Sequence, residues 1–153
     1  MEPETIKAIM GEIPQFDKMS NEERDIISRY MDYHEAQAGE TLVREGSLSD
    51  SLFYIVRGQI EIEKENIKGN QAVLARFGKG STVGEMSLVD NNIARSATAR
   101  VVDQAELIVL TREKFLQIEQ GYPKIAIKIL KNIASSISAR LRHTSGRFAD
   151  FFD

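Results

Sequence analysis

Apolar residues change their spacing twice along the chain, and these changes divide it into three parts. In the first part, the stretch SNEERDIISRY places Ser20 three positions before Glu23. This is the spacing of a capping box, in which each side chain accepts a hydrogen bond from the other residue's backbone amide at a helix start. The pattern predicts a helix from about Asn21 to Tyr30, within a helical segment that covers residues 1–30.

Short runs of Val, Ile, Leu, Phe and Tyr, separated by glycines, fill residues 31–110. In the segment SLFYIVRGQIEIEKE, apolar residues at two-residue spacing lie on both sides of Gly58. This alternation is typical of strands, and the pattern predicts a turn at Gly58. Many short strands joined by regular turns predict a β-barrel or jelly roll.

Helical spacing returns over residues 111–152, which are predicted to form C-terminal helices. Thr111 is a candidate N-cap, and Gly121 followed by Pro123 marks the end of one helix and the start of a longer one. The longer helix carries apolar and small residues at alternating spacings of four and three, the pattern of a coiled-coil seam. These seam residues are Leu130, Ala134, Ile137, Leu141, Thr144, Phe148 and Phe151.

The seam predicts a homodimer through the last helix. The alternative is that the same stripe packs on the chain's own barrel, as the apolar face of a single helix usually does. The dimer is favoured because the seam is longer than one small barrel could cover. Gly146 weakens this prediction, since glycine inside a helix costs about 1 kcal/mol relative to alanine.

Composition limits the class of protein. A length of 153 residues with 42% hydrophobic residues suits a single domain over residues 1–153. The net charge of −3 shows no basic excess for nucleic acid. The absence of cysteine excludes disulfides and thiolate metal sites, and the cytoplasm is the simplest location. No signal sequence is visible, and no apolar stretch approaches the roughly 20 residues of a membrane span.

Two other functional classes are disfavoured. The last helix is rich in basic residues, but no turn and second recognition helix follow, so direct nucleic-acid binding is not expected. A cupin-like metal enzyme needs clustered histidine and carboxylate ligands, and the chain has only His34 and His143, which are far apart in the pattern. There is no nucleophile elbow and no cysteine nucleophile. A binding module without enzymatic activity is therefore the favoured class.

The stretch GEMSLVDNNIARSATAR is the strongest candidate site, with Glu85 and Arg95 ten positions apart. Arg95 offers a permanently charged fork for a phosphate, and Ser96 adds a hydroxyl. Glu85 would repel a phosphate, so in such a site it would accept a hydrogen bond from a sugar hydroxyl. Gly84 suits a close backbone approach or a positive φ, and a short helix is expected after it. The alternative is a Glu–Arg ion pair that braces a hairpin, and the residues alone leave both interpretations open.

Three separated blocks of the sequence agree, in order, with one known family. Residues 77–101, FGKGSTVGEMSLVDNNIARSATARV, resemble the phosphate-binding cassette of the cyclic nucleotide-binding domain family, of the catabolite activator type. Upstream, GETLVREGSLSDSLFYIVRGQIEI resembles the early strands of these domains. Downstream, SARLRHTSGRFADFF resembles their long dimer helix. The resemblance covers roughly residues 16–152, and we call residues 77–101 the cassette.

The resemblance implies two groups of ligand contacts. Within the cassette, Glu85 would bind the ribose 2′-hydroxyl, while Arg95 and Ser96 would bind the cyclic phosphate. Thr144 and Ser145 would meet the base, and one of them would reach the ligand of the opposite subunit. The complete implied site is Gly84, Glu85, Met86, Arg95, Ser96, Ala97, Thr144 and Ser145.

The predicted protein is a cyclic-nucleotide sensor: an eight-stranded-type jelly roll with helices at both ends that dimerises through its last helix. Cyclic AMP is favoured over cyclic GMP, because Thr144 and Ser145 together supply the donor and acceptor that adenine needs. The alternatives are a structural dimerisation module without a ligand and a domain that binds a different ligand. Activators of this family continue into a helix-turn-helix domain, so the chain is either a stand-alone sensor or the sensor part of a longer regulator.

Overall fold

The N-terminal segment is helical, as the capping pattern predicted. The computed structural model describes residues 1–90 and 94–150. Helix α1 spans Pro3–Met10 and α2 spans Asn21–Ile27, with 3₁₀ turns at Pro14–Phe16 and Ser28–Tyr30. The capping box is confirmed, since Ser20 Oγ accepts from the amide of Glu23 at 3.1 Å and Glu23 Oε1 accepts from the amide of Ser20 at 2.9 Å. The predicted helix tightens into 3₁₀ geometry after Ile27.

The central part of the chain is an antiparallel sheet, and the mainly β fold with helices at both ends is confirmed. Its strands are β1 Asp32–Ala36, β2 Thr41–Val43, β3 Ser51–Glu65, β4 Gln71–Phe77, β5 Thr82–Val83 and β6 Thr98–Thr111. They pair in the order β1-β6-β3-β4, with β2 also on β6 and β5 also on β3. The described residues form six strands rather than eight, because β3 and β6 continue for 15 and 14 residues through shifts in pairing register.

Gly58 does not form the predicted turn. It lies inside β3 with a φ of +93°, at a shift in the register between β3 and β6. A Cβ at this position would lie 2.5 Å from the carbonyl oxygen of Gln104, so the two strands approach too closely for any side chain. The prediction was wrong because a glycine at a strand irregularity and a glycine at a turn look the same in a single sequence.

Two hydrophobic cores lie on opposite faces of β3 and β6, as the alternation of side chains requires. One face packs against the N-terminal and C-terminal helices through residues such as Leu52, Tyr54 and Ile108. The other face fills the barrel through residues such as Ile55 and Leu107. The barrel therefore holds its shape between an inner core and an outer layer of helices.

The C-terminal segment consists of α3, Arg112–Gly121, and α4, Pro123–Ala149. The predicted N-cap is confirmed, because Thr111 Oγ1 accepts from the amide of Lys114 at 3.2 Å. The first half of α4 packs on the helical core. The buried residues of this half are Ile125, Ala126, Ile129 and Ile133. Two polar contacts add to this anchor, from Lys128 Nζ to Glu23 Oε1 and from the Asn132 side chain to the Gln15 carbonyl, both at 2.6 Å.

The second half of α4, from Ala134 onward, is mostly exposed, and we call it the tail. Ile137 is 42% exposed, and Leu141 is 65% exposed. The predicted seam residues from Ala134 to Phe148 lie on the tail, whereas Phe151 is outside the described residues. Within the described ranges, no helix is long and apolar enough to cross a lipid bilayer.

Candidate functional site

A cavity of about 300 Å³ opens between the barrel, the cassette and the tail. The barrel contributes Val43 and Ile62 to its wall, together with Phe77, the residue at which β4 ends and the cassette begins. The cassette contributes residues on both sides of the undescribed positions 91–93, and the tail contributes Arg140. The cavity therefore joins apolar strand residues to charged side chains from two distant parts of the sequence.

Gly84 sets the backbone path at the base of the cavity. Its φ is +84°, and a short 3₁₀ helix, Glu85–Leu88, follows it as the sequence predicted. A Cβ on Gly84 would lie 2.5 Å from the carbonyl oxygen of Ser51 and 3.3 Å from Arg95 Nη2. Both the positive φ and this close approach require glycine.

Arg95 lies half-buried against Gly84. Its Nη2 donates to the carbonyl oxygen of Ser51 at 3.2 Å, whereas its buried Nε has no hydrogen-bond partner among the described residues. Burial lowers the pKa of Arg95 below its ordinary value, and the nearby carboxylates of Glu85 and Asp50 oppose this shift. A buried N–H donor without a partner is costly, so the geometry suits an anion that would accept from it.

Glu85 is 8% exposed, and one of its oxygens takes both a hydrogen bond and an ion-pair contact. Thr82 Oγ1 donates to Glu85 Oε1 at 2.7 Å, and Arg140 Nη1 lies 2.6 Å from the same atom. A Glu–Arg ion pair is thus present, but it joins the cassette to the tail and does not brace a hairpin through Arg95.

Arg140 is the site residue that the sequence interpretation missed, because it is one of several basic residues on the last helix. Its guanidinium carbon lies 4.3 Å from the centroid of the Phe77 ring, and its Nη2 donates to the carbonyl oxygen of Thr82. It is one helical turn before Thr144, and this spacing was the available signal. Arg140 links the tail directly to the cavity.

The structure brings together six of the eight predicted site residues. Gly84, Glu85, Met86, Arg95, Ser96 and Ala97 all line the cavity. Thr144 and Ser145 are exposed on the tail and do not line the cavity of their own chain. They lie beyond Arg140 on the same helix, so a tail that continues straight carries them away from the barrel.

The family is decided by comparison of the whole sequence with protein-family models. The model described as "Cyclic nucleotide-binding domain" matches residues 33–122, which include strands β2 to β6, most of β1 and the cassette. The chain belongs to the cyclic nucleotide-binding domain family.

Individual relatives agree with this membership. The chain is 31% identical over 129 residues to the cyclic AMP receptor protein of Thermus thermophilus, covering 84% of this chain and 57% of that protein. A cyclic nucleotide-binding domain from Methylobacillus flagellatus superposes with a TM-score of 0.83 at 29% identity, covering 97% of this chain and 83% of the other. The catabolite activator protein of Thermus thermophilus gives a TM-score of 0.74 at 28% identity, with 90% and 62% covered.

Replacing Gly84 with alanine is expected to damage this cyclic nucleotide-binding domain in two ways. The positive φ should cost about 1 kcal/mol of folding free energy, and the added Cβ should push Ser51 or Arg95 out of place at a further cost of about 1 kcal/mol or more. Chemical denaturation measures the total.

Gly69→Ala is the matched control, because Gly69 has a φ of +82° but its nearest neighbour, Glu65 Oε1, would be 3.6 Å from the new Cβ. This variant should show only the conformational cost. Equal destabilisation of the two variants would mean that the close packing around Gly84 has no energetic importance.

Proposed function

We propose that the chain is a sensor module that binds a cyclic nucleotide in the cassette cavity and transmits binding to its tail. The observation that carries this proposal is the buried Nε of Arg95, which lacks a hydrogen-bond partner among the described residues. A cyclic phosphate supplies the missing acceptor and the negative charge that a guanidinium fork prefers.

Cavity residues of different charge contact different parts of the ligand. Arg95 and Ser96 bind the cyclic phosphate, and Glu85 accepts a hydrogen bond from the ribose 2′-hydroxyl. Gly84 leaves room for the sugar-phosphate, while Met86 and Ala97 shape the wall. A volume of about 300 Å³ lies at the lower end of the range for small-molecule sites, which suits a compact ligand that leaves its base near the open side.

The tail completes the site in the proposed homodimer. The exposed seam, with Ile137 and Leu141 at its centre, packs against the same face of a second copy. Thr144 and Ser145 then meet the base, one of them in the opposite subunit, and their donor and acceptor favour cyclic AMP over cyclic GMP. Through its ion pair with Glu85, Arg140 couples ligand binding in the cavity to this dimer helix.

A second candidate is the sensor part of a longer transcription regulator. The observation that favours it is that the chain spans 57% of the length of the cyclic AMP receptor protein that it matches. In that case the tail would pass the signal to a further domain as well as to the second subunit.

Hydrogen exchange with and without cyclic AMP tests the proposed function. Ligand should slow amide exchange in the cassette and across residues 139–150, because binding orders both the cavity and the dimer tail. Cyclic GMP should produce a smaller change at the same concentration. Protection confined to the cassette would contradict the coupling, and unchanged exchange everywhere at saturating nucleotide would contradict the sensor function itself.

A further inference from the structure

Thr82 lies at the point where the barrel, the cassette carboxylate and the tail meet. It is 1% exposed and pairs with Tyr54 of β3 from its position on β5. Its hydroxyl donates to Glu85 Oε1 at 2.7 Å, and its carbonyl oxygen accepts from Arg140. The hydroxyl of Thr82 therefore contacts the Glu85 carboxylate and also accepts from Arg140 Nη2 at 3.5 Å, while its carbonyl oxygen contacts the tail alone.

The contacts on Glu85 are asymmetric. Thr82 donates a hydrogen bond to Oε1 and Arg140 forms an ion pair with the same oxygen, whereas none of the described residues donates to Oε2. A carboxylate accepts on both oxygens, so fixing Oε1 on the protein orients Oε2 for another donor. A sugar hydroxyl is such a donor, and its bond to a charged acceptor depends on that orientation.

The two groups that hold Oε1 differ in rigidity. Arg140 comes from the exposed tail and has a long, flexible side chain. Thr82 is β-branched, with few accessible rotamers, and it sits on a strand that is hydrogen-bonded to β3. Thr82 can therefore keep Glu85 oriented even when the tail changes its position.

We propose that Thr82 is a positioning residue that sets the preference of this domain for ribose over 2′-deoxyribose by orienting Glu85. The inference rests on the proposed function, because it assigns a sugar specificity to the same site. A merely structural role for Thr82 predicts something different: loss of the hydroxyl would weaken the binding of both sugars equally or lower stability alone.

Calorimetric titration of cyclic AMP and 2′-deoxy cyclic AMP into the parent protein and Thr82→Val separates these roles. Valine keeps the shape of the side chain and removes the hydroxyl. The dissociation constant of 2′-deoxy cyclic AMP divided by that of cyclic AMP should therefore fall by about fivefold or more. Thr82→Ser restores a hydroxyl and should recover most of the ratio. Glu85→Gln provides the benchmark for a weakened sugar contact and should also lower the ratio.

Ser28→Ala is the control for the loss of a buried hydroxyl. Ser28 is also 1% exposed, and its Oγ donates to the carbonyl oxygen of Asp25 in the N-terminal helical segment, away from the cavity. This variant should keep the parental ratio whatever its stability. If the valine variant does not fold, Thr82→Ala removes the same hydroxyl without adding a methyl group and should lower the ratio in the same way.

The outcomes distinguish this inference from the function on which it rests. In one outcome, the parent protein prefers the ribose ligand while Thr82→Val keeps the parental ratio and Glu85→Gln lowers it. That result overturns only the role of Thr82 and leaves the proposed function intact. A parent that binds neither nucleotide overturns the proposed function and the inference together. A lower ratio in Thr82→Val that serine restores supports both.

Discussion

Replacing Arg95 with alanine is expected to weaken cyclic AMP binding at least about a hundredfold, because the variant removes a charge-assisted contact to a partly desolvated phosphate. The Nη2 atom of Arg95 lies beside Gly84 and Ser51. Among the described residues, the other guanidinium that lines the cavity is that of Arg140, which is already paired with Glu85. Calorimetric titration of cyclic AMP measures the loss.

Two further variants show whether the fork or only the charge is needed. Arg95→Lys keeps the charge but cannot form two parallel hydrogen bonds, so its affinity should fall between those of the parent and Arg95→Ala. Arg76→Ala is the control, since Arg76 is 60% exposed and pairs with Glu61 at 3.0 Å outside the cavity. Parental affinity in Arg95→Ala would show that the cassette does not bind the phosphate.

Replacing Leu141 with glutamate is expected to split the dimer and to weaken cyclic AMP binding in the same protein. Leu141 is 65% exposed in the single chain, and a carboxylate there would be buried without a partner in the seam. Because linkage is reciprocal, a ligand that stabilises the dimer must bind the dimer more tightly than the monomer. Sedimentation measures the dimer, and calorimetry at the same protein concentration measures the affinity.

Ala139→Glu is the matched control for this variant. Ala139 is exposed on the same helix but lies off the seam, so the same new carboxylate should leave the dimer and the affinity unchanged. A Leu141→Glu monomer that binds cyclic AMP with parental affinity would contradict the coupling between ligand binding and dimerisation, and the barrel would then bind the nucleotide without using its tail.

Local signals in the sequence were sufficient for much of the fold. The capping box at Ser20 and the cap at Thr111 depend on hydrogen bonds between a side chain and a backbone amide three residues away, and both form as predicted. The cassette also depends on short spacings, and its six predicted residues meet at one cavity. The predicted turn at Gly58 was wrong because glycine is required there by the close approach of Gln104 on another strand, which no local pattern reveals.

Long-range contacts explain why the sequence analysis missed Arg140 and Thr82 as site residues. Arg140 contacts the carbonyl of Thr82, a residue 58 positions earlier in the chain, and nothing in its charge distinguishes it from the other basic residues of α4. Thr82 gave no signal either, because a threonine on a short strand is common and its partner Glu85 is defined only by the turn at Gly84. The placement of Thr144 and Ser145 against a ligand remains a prediction that depends on the second subunit.

Calorimetric titration of cyclic AMP and cyclic GMP into the purified parent protein tests nucleotide binding most directly. We expect saturable binding of one cyclic AMP per chain, with cyclic GMP bound more weakly. The absence of heat with both nucleotides, together with an unchanged melting temperature in their presence, would contradict nucleotide binding and leave a structural dimerisation module.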